Sequence, residues 1–443
     1  MIRSRTEIAR KRKQQRRRRL AAANLCLLAA IAAVLLWNGW STGQGGDRSA
    51  EPPAVERTDD VPGDSAGVGP GDAEESENTA GPDDADEPAD GSKAGAGDGQ
   101  SSGDVSDGDD SLDGGALEDR ASSVRLAFVG DVLLGSYVET LMKRNGFEYP
   151  YLQVKQLLQD ADVTAANLET AVTGDREKAG LKQYEFRSPP EALPAFADAG
   201  FDIVTLANNH TLDFGPEGLR DTFRHLKDNN IQYVGAGENA EEAFAPVYIE
   251  KNGLTIAYLG LSRVVPNVDW KAGKNKLGVA ETYDYRRALE EIRKAKEQAD
   301  LVVVLAHWGN ERELNADPLK QTDLGHRYID AGADLVIGSH PHVLQGIESY
   351  KDKWIVYSLG NFVFTTSKDP LTYDSGIVYA DCDRAGACSL QLVPVKADSP
   401  QPVPMEADDA SKVIERVSSL SVNAVLNEDG RVRRSSSGEG DAR

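Results

Sequence analysis

Residues 334–342 read DLVIGSHPH. Leu335, Val336 and Ile337 form an apolar, β-branched run that suits a strand buried on both faces. A polar cluster, Ser339, His340 and His342, follows at its carboxyl end after Gly338 alone. In extended backbone, residues two apart share a face, so both imidazoles can address one centre. The stretch predicts a strand that delivers metal-binding side chains at its end.

The same pattern recurs outward from it. Strands are predicted at VRLAFVGDVLL (124–134), DVTAANLE (162–169), FDIVTLANNH (201–210), LTIAYLGLS (254–262), DLVVVLAHWG (300–309) and WIVYSLGNFVF (354–364), with a shorter one over Ile231–Val234. Helical periodicity lies between them, over Tyr151–Asp160, Pro189–Ala199, Gly218–Asp228, Tyr283–Gln298 and Leu319–Ala331. Strands alternating with helices indicate an α/β fold, and the region Gly376–Val395 reads as a hairpin. Polar clusters follow five of the strands: Gly130-Asp131, Asn167-Leu168-Glu169, Asn208-Asn209-His210, His307-Trp308-Gly309 and Ser339 to His342. Open α/β sheets bind ligands at the carboxyl ends of their strands, so the five clusters are expected to converge.

Four of the six histidines, His210, His307, His340 and His342, fall in these clusters. Neutral imidazole with carboxylate and amide oxygen suits zinc, manganese or iron. Each residue alone has a plainer reading. Asp131 would cap a turn, Asn208-Asn209 would make one, and His307 would be a core histidine. The ordered set favours a metal site. His225 and His326 lie inside predicted helices and read as structural.

The segments FVGDVLLGS, AANLETAVT, LANNHTLDFG, LAHWGNE, GADLVIGSHPHVLQGIE and YSLGNFVF, taken in order over about 124–400, resemble the CapA family of poly-γ-glutamate capsule biosynthesis proteins. That resemblance implies a four-layer αββα sandwich of the metallophosphoesterase type and a centre of one or two divalent metals. By this likeness Asp131, Glu169, Asn209, His307, His340 and His342 correspond to metal ligands, with Glu169 as the bridging carboxylate. His210 corresponds to the general acid of the Asn209-His210 motif. The chain departs from the phosphoesterase pattern at Leu133, where a histidine is usual, and at Asn167-Leu168-Glu169, which replaces Gly-Asp-x-x-Asp. Asn208, Asp213, Glu311 and Asn361 are polar residues placed to support the site, or to serve as caps and turns.

The flanks have other characters. Residues 1–19 carry ten basic residues against Glu7, a charge of 10 − 1 = +9. Residues 20–40 hold LAAANLCLLAAIAAVLLW and then Trp40. This is an uncharged run of about 18 residues, just enough to span a ~30 Å hydrocarbon core. With the basic block held inside, it reads as a single-pass signal anchor with a cytoplasmic N-terminus. The stretch after Val34 makes a poor cleavage site, and Cys26 lies inside the apolar run, which argues against a lipoprotein. Residues 41–123 hold 23 acidic and 4 basic residues, a charge of −19, and read as a disordered tether. The remainder then carries −23 − 9 + 19 = −13. An acidic domain argues against nucleic-acid binding. Cys382 and Cys388 bracket a short turn and read equally as a disulfide, in an oxidising compartment, or as free thiols. The folded domain is expected over 124–398. Residues 399–443 should add an amphipathic helix near Ala410–Leu420 that docks on it, and then a polar tail.

Three functions fit these features. The first is a metal-dependent hydrolase of the capsule machinery acting outside the membrane on poly-γ-glutamate or a linkage of it. The second is a non-enzymatic export or scaffold subunit that binds the polymer and joins membrane synthetase subunits. The third is a generic extracytoplasmic metallophosphatase.

Overall fold

Alternate residues of the predicted first strand are buried on opposite sides, as the pleat requires. In β1 (Ser123–Val132), Val124, Leu126 and Phe128 enter one apolar cluster, while Ala127 and Val129 enter another. The computed structural model describes residues 123–435 apart from 175, 181–183, 366 and 367. The predicted basic tail, signal anchor and nearly all of the acidic linker lie outside the described residues, as does the end of the polar tail, 436–443. Among the described residues no helix is long and apolar enough to cross a membrane.

β1 is joined in parallel by β2 (Val163–Leu168), β3 (Ile203–Thr205) and β4 (Gln232–Val234). The chain then builds a second sheet. Its strands are β5 (Val247–Lys251), β6 (Leu254–Ser262), β7 (Leu301–His307), β8 (Leu335–Ser339), β9 (Ile347–Tyr350) and β10 (Lys353–Val356), in the order β9-β10-β8-β7-β6-β5. It returns to the first sheet with β11 (Asn361–Val363), β12 (Asp374–Asp383), β13 (Cys388–Lys396) and β14 (Val403–Pro404). That sheet runs β14-β13-β12-β1-β2-β3-β4, with β11 paired to β1.

The sheets face each other. Leu301, Val303 and Leu305 of β7 pack in the cluster that holds Leu126 and Phe128. The outer face of the first sheet is covered by α1 (Ser136–Asn145), α2 (Leu193–Asp198) and α3 (Gly215–Asp228), through Met142, Phe196 and Leu219. The outer face of the second, lined by Val302 and Val304, is covered by α4 (Arg286–Lys296) and α5 (Asp323–Ala331), through Ile292 and Tyr328. The layers are therefore helix, sheet, sheet, helix. Each fully buried aliphatic side chain in these clusters stabilises by ~1.5–3 kcal/mol. α5 stops at Gly332, whose φ of 119° lets its N–H reach back to the carbonyls of Tyr328 and Ile329.

The expected C-terminal helix is present as α6 (Ala407–Leu420), and it docks between the sheets' edges through Val413 and Val417. The polar stretch after it was expected as tail. Instead, Ala424–Leu426 and Val432–Arg434 pair as a hairpin, held to β13 by the Leu392 N–H donating to the Gly430 carbonyl at 2.9 Å. Several elements had no clear sequence signal, among them α1 and the edge strand β5. β5 reads VYIEK and is largely solvated, so it lacks the apolar run of its neighbours. The helix expected over Tyr151–Asp160 is shorter, a 3-10 turn at Tyr149–Tyr151 followed by Lys155–Gln159. Cys382 and Cys388 lie opposite each other in the β12–β13 ladder and are joined as a disulfide.

One backbone contact sets the site. β1 pairs with β12 through residues 123–128 and changes partner to β11 at Asp131. At that point a Cβ on Gly130 would lie 1.8 Å from the Gly360 carbonyl oxygen. Glycine is needed there for β1 and the 360 turn to touch. The Asp131 N–H donates to that same oxygen at 2.9 Å, which fixes where its carboxylate points.

Candidate metal centre

Strand register gathers the five clusters. Asp131, Asn167 and Thr205 are neighbours across β1, β2 and β3. Ser262, His307 and Ser339 are neighbours across β6, β7 and β8. Side chains from both sheets then meet beyond the strand ends. Asp131, Glu169 and His307 are fully buried, and His340 is 5% exposed.

Two groups of three stand close enough to hold a cation. Glu169, His307 and His340 offer ligand atoms within 4.8 Å of one another, and so do Asp131, Glu169 and His342. Glu169 belongs to both. Its Oε1 lies 3.8 Å from His307 Nε2 and 4.0 Å from His342 Nε2, and Asp131 Oδ2 lies 3.1 Å from His342 Nδ1. Asn209 Oδ1 lies 2.8 Å from His307 Nε2, on the rim of the first group.

His210 stands beside the groups. Its Nδ1 is 2.6 Å from Asp213 Oδ2, and its ring packs 4.4 Å from that of Phe186. The Asp213 carboxylate orients the ring through Nδ1. Asn361 Oδ1 lies 2.9 Å from His342 Nδ1. Asn208 is buried scaffolding: its amide donates to Asn167 Oδ1 at 3.0 Å and to the Leu168 carbonyl at 2.9 Å, and its Oδ1 accepts from the His210 N–H at 3.0 Å. Glu311 is exposed and influences His342 through its charge.

Two residues carry more of the site than their sequence positions suggested. Asn167 donates to Asp131 Oδ1 at 2.8 Å, while Asn208 holds its oxygen. The available signal was its place two residues from Glu169 on a strand, hence on the same face. Ser339 Oγ lies 3.1 Å from His307 Nδ1, where it can steady the ring while Nε2 faces a cation. Leu133, at the position of the departure noted above, is fully buried.

The loop itself is strained. His340 and His342 have φ of 95° and 58°, and Arg312, whose N–H donates to the Pro341 carbonyl at 2.8 Å, has φ of 64°. Left-handed backbone at residues other than glycine costs on the order of 1 kcal/mol each and gathers at functional sites.

The family model for the bacterial capsule synthesis protein PGA_cap matches residues 125–366, which hold every residue of both groups. This chain belongs to the PGA_cap family. The PGA biosynthesis protein CapA of Bacillus subtilis (strain 168) is 33% identical over 310 residues, covering 69% of this chain and 80% of that protein. The capsule biosynthesis protein CapA of Bacillus anthracis is 35% identical over 294 residues, covering 64% and 70%. Among solved structures, the calcineurin-like phosphoesterase YfkN from Bacillus subtilis aligns with a TM-score of 0.37 at 14% identity, over 64% of this chain and 89% of that one.

The donor set of this PGA_cap chain fits a divalent cation. His340 Nδ1 is buried with no hydrogen-bond partner among the described residues, an arrangement that calls for a ligand. Two carboxylates with no solvent exposure need positive charge nearby. In the metal-free protein that charge falls to His342. Burial opposes its protonation, but the Glu169 charge and the Asp131 hydrogen bond outweigh it and push the imidazole up to about 10. Burial keeps His340 well below the ordinary histidine range, so it presents the neutral ring that binds metal.

A pH dependence follows for chelator-treated protein. A histidine raised in the folded state contributes stability in full below its unfolded value near 6.5, and loses that contribution as pH rises toward about 10. The thermal midpoint is expected to fall across that window. His342→Ala should be less stable at pH 6, with the gap to the parent closing toward pH 10. Parallel melting curves at every pH would contradict this assignment.

Proposed function

We propose that this chain is a membrane-anchored, extracytoplasmic component of poly-γ-glutamate capsule synthesis or export. In this reading it is a metal-dependent hydrolase acting on the polymer or its linkage, on an αββα sandwich of the metallophosphoesterase type. The observation that carries it is the pair of three-residue groups sharing Glu169. A pair of manganese, zinc or iron ions held there would supply Lewis acidity and an activated water. Asp131 and His342 would hold one, His307 and His340 the other, and Glu169 both, with Asn209 beside His307. His210, oriented by Asp213, holds a proton at Nε2 for the leaving group.

The anchoring reading rests on the basic block 1–19 and the apolar run 20–40, with the linker 41–123 as tether. The Cys382–Cys388 disulfide agrees with an oxidising compartment. The partners are the polyanion, membrane synthetase subunits and the lipid bilayer, with nucleic acid excluded by the acidic charge.

Leu133 favours a second reading. An apolar side chain where phosphoesterases carry a histidine suits a polymer-binding scaffold that has lost its chemistry. Elemental analysis of the purified protein beside His340→Ala/His342→Ala separates the two. Stoichiometric metal that disappears in the variant, together with shortening of poly-γ-glutamate by the parent alone, supports the hydrolase. No metal after supply of manganese, zinc and iron removes the hydrolase and leaves the scaffold. Turnover of small phosphoesters without polymer shortening would instead indicate a general phosphatase.

A further inference from the structure

Most arginines of the domain are neutralised internally. Arg125, Arg176, Arg220 and Arg384, for example, each pair with an aspartate or glutamate. Two whose backbones adjoin the strand ends of the metal centre are not. Arg263 follows β6, and its N–H donates to the carbonyl of His307 at 2.8 Å. Its half-buried guanidinium lies 4.4 Å from the centroid of the Tyr283 ring, and Lys271 Nζ lies 4.6 Å from the same ring. Arg312 is exposed on the loop bonded to Pro341, between His340 and His342. Neither has a carboxylate partner among the described residues.

We propose that Arg263 and Arg312 read the free carboxylates of an anionic chain lying across the metal centre. Backbone bonds tie them to the segments that carry His307 and the His340–His342 pair, so they flank the centre. An arginine fork matches a carboxylate in two parallel bonds. Tyr283 holds the Arg263 guanidinium through its ring face and consumes none of its charge. Arg312 keeps a long side chain at a φ of 64°, where glycine would be unstrained. The Arg312 N–H bond to the Pro341 carbonyl holds that left-handed turn, and substrate recognition accounts for an arginine there in place of glycine. On a domain of net negative charge, two cations without carboxylate partners beside the centre admit a polyanion that the rest of the surface repels. The assignment rests on the polymer reading above and adds which side chains recognise the repeating unit.

The test uses full-length protein in detergent with manganese, and fluorescent decamers of γ-linked glutamate and, as the neutral counterpart, γ-linked glutamine. The variants are Arg263→Gln, Arg312→Gly and the pair. Each single change is expected to weaken glutamate-decamer binding about fivefold to tenfold and to lessen its salt dependence. Glutamine-decamer binding, metal content and folding should stay unchanged. Arg312→Gly should also melt at the same temperature or higher, which separates a recognition role from a structural one. A double variant that binds glutamate decamer as tightly as the parent overturns the proposal, as does a parent that does not prefer glutamate to glutamine. Arginine-dependent binding that survives in His340→Ala/His342→Ala without polymer shortening by the parent keeps this inference and ends the hydrolase reading. Shortening without arginine dependence does the reverse.

Discussion

Replacing Glu169 with glutamine is expected to weaken metal binding at both positions at once. Glu169 is common to both three-residue groups, whereas His340 belongs to one and His342 to the other. Changes to residues that merely support a ligand cost ~10–100-fold in metal affinity. Removal of a shared carboxylate should therefore cost at least about 100-fold at each position. Elemental analysis after dialysis against a fixed metal concentration would show both equivalents lost in Glu169→Gln. His340→Ala and His342→Ala should each lose one before the other. Loss of a single equivalent in Glu169→Gln would mean that the carboxylate serves one ion. The metal-free variant offers a second readout. The Glu169 charge is the largest influence raising His342, so its removal should shrink the fall in stability between pH 6.5 and about 10.

Trp308→Ala should be among the most destabilising single changes in the domain. The indole is 1% exposed, stacks parallel to Tyr328 at 6.1 Å, and donates from Nε1 to the Tyr357 carbonyl at 2.9 Å. Truncating a buried tryptophan costs ~3–5 kcal/mol from lost transfer energy and the cavity left behind. With an unfolding entropy of about 2.1 cal/mol/K per residue over roughly 300 residues, the thermal midpoint should fall by about 5–8 °C. Trp308→Phe retains most of the area and gives up the hydrogen bond, so it should lose ~1–2 kcal/mol. Because Trp308 follows His307 directly, the alanine variant should also lower metal occupancy. A midpoint within 1–2 °C of the parent, by the same scaling, would show that this layer repacks without cost.

Much of this protein is legible along the chain. Runs such as Leu301–His307 and Leu335–Ser339 declare buried parallel strands because β-branched residues fill both faces of the pleat. The polar residues that follow them mark the functional edge, since a strand end is where an open α/β sheet exposes side chains to a ligand. Thus Asp131, Glu169, His307, His340 and His342 stand out before any coordinates are known. The weakly patterned elements do not. β5 and the hairpin at Ala424–Leu426 are solvated and take their order from neighbouring strands, a tertiary effect with no local signature. The pairing of Cys382 with Cys388, left open by spacing alone, is decided by their facing positions in one hairpin.

How the site residues are grouped is likewise a property of the packed molecule. Glu169 becomes common to two groups because β2 carries it from one sheet toward His307 on the other, across an interface that no linear pattern describes. Asp131 is aimed by a contact with Gly360, 229 residues later in the chain, which two glycine-sized gaps permit. The sequence by itself singled out the candidate ligands and the strand ends at which they lie, because burial and pleat are local. Only the tertiary structure decided which of them share a centre and which arginines remain unpaired beside it, because those distances depend on two sheets meeting face to face.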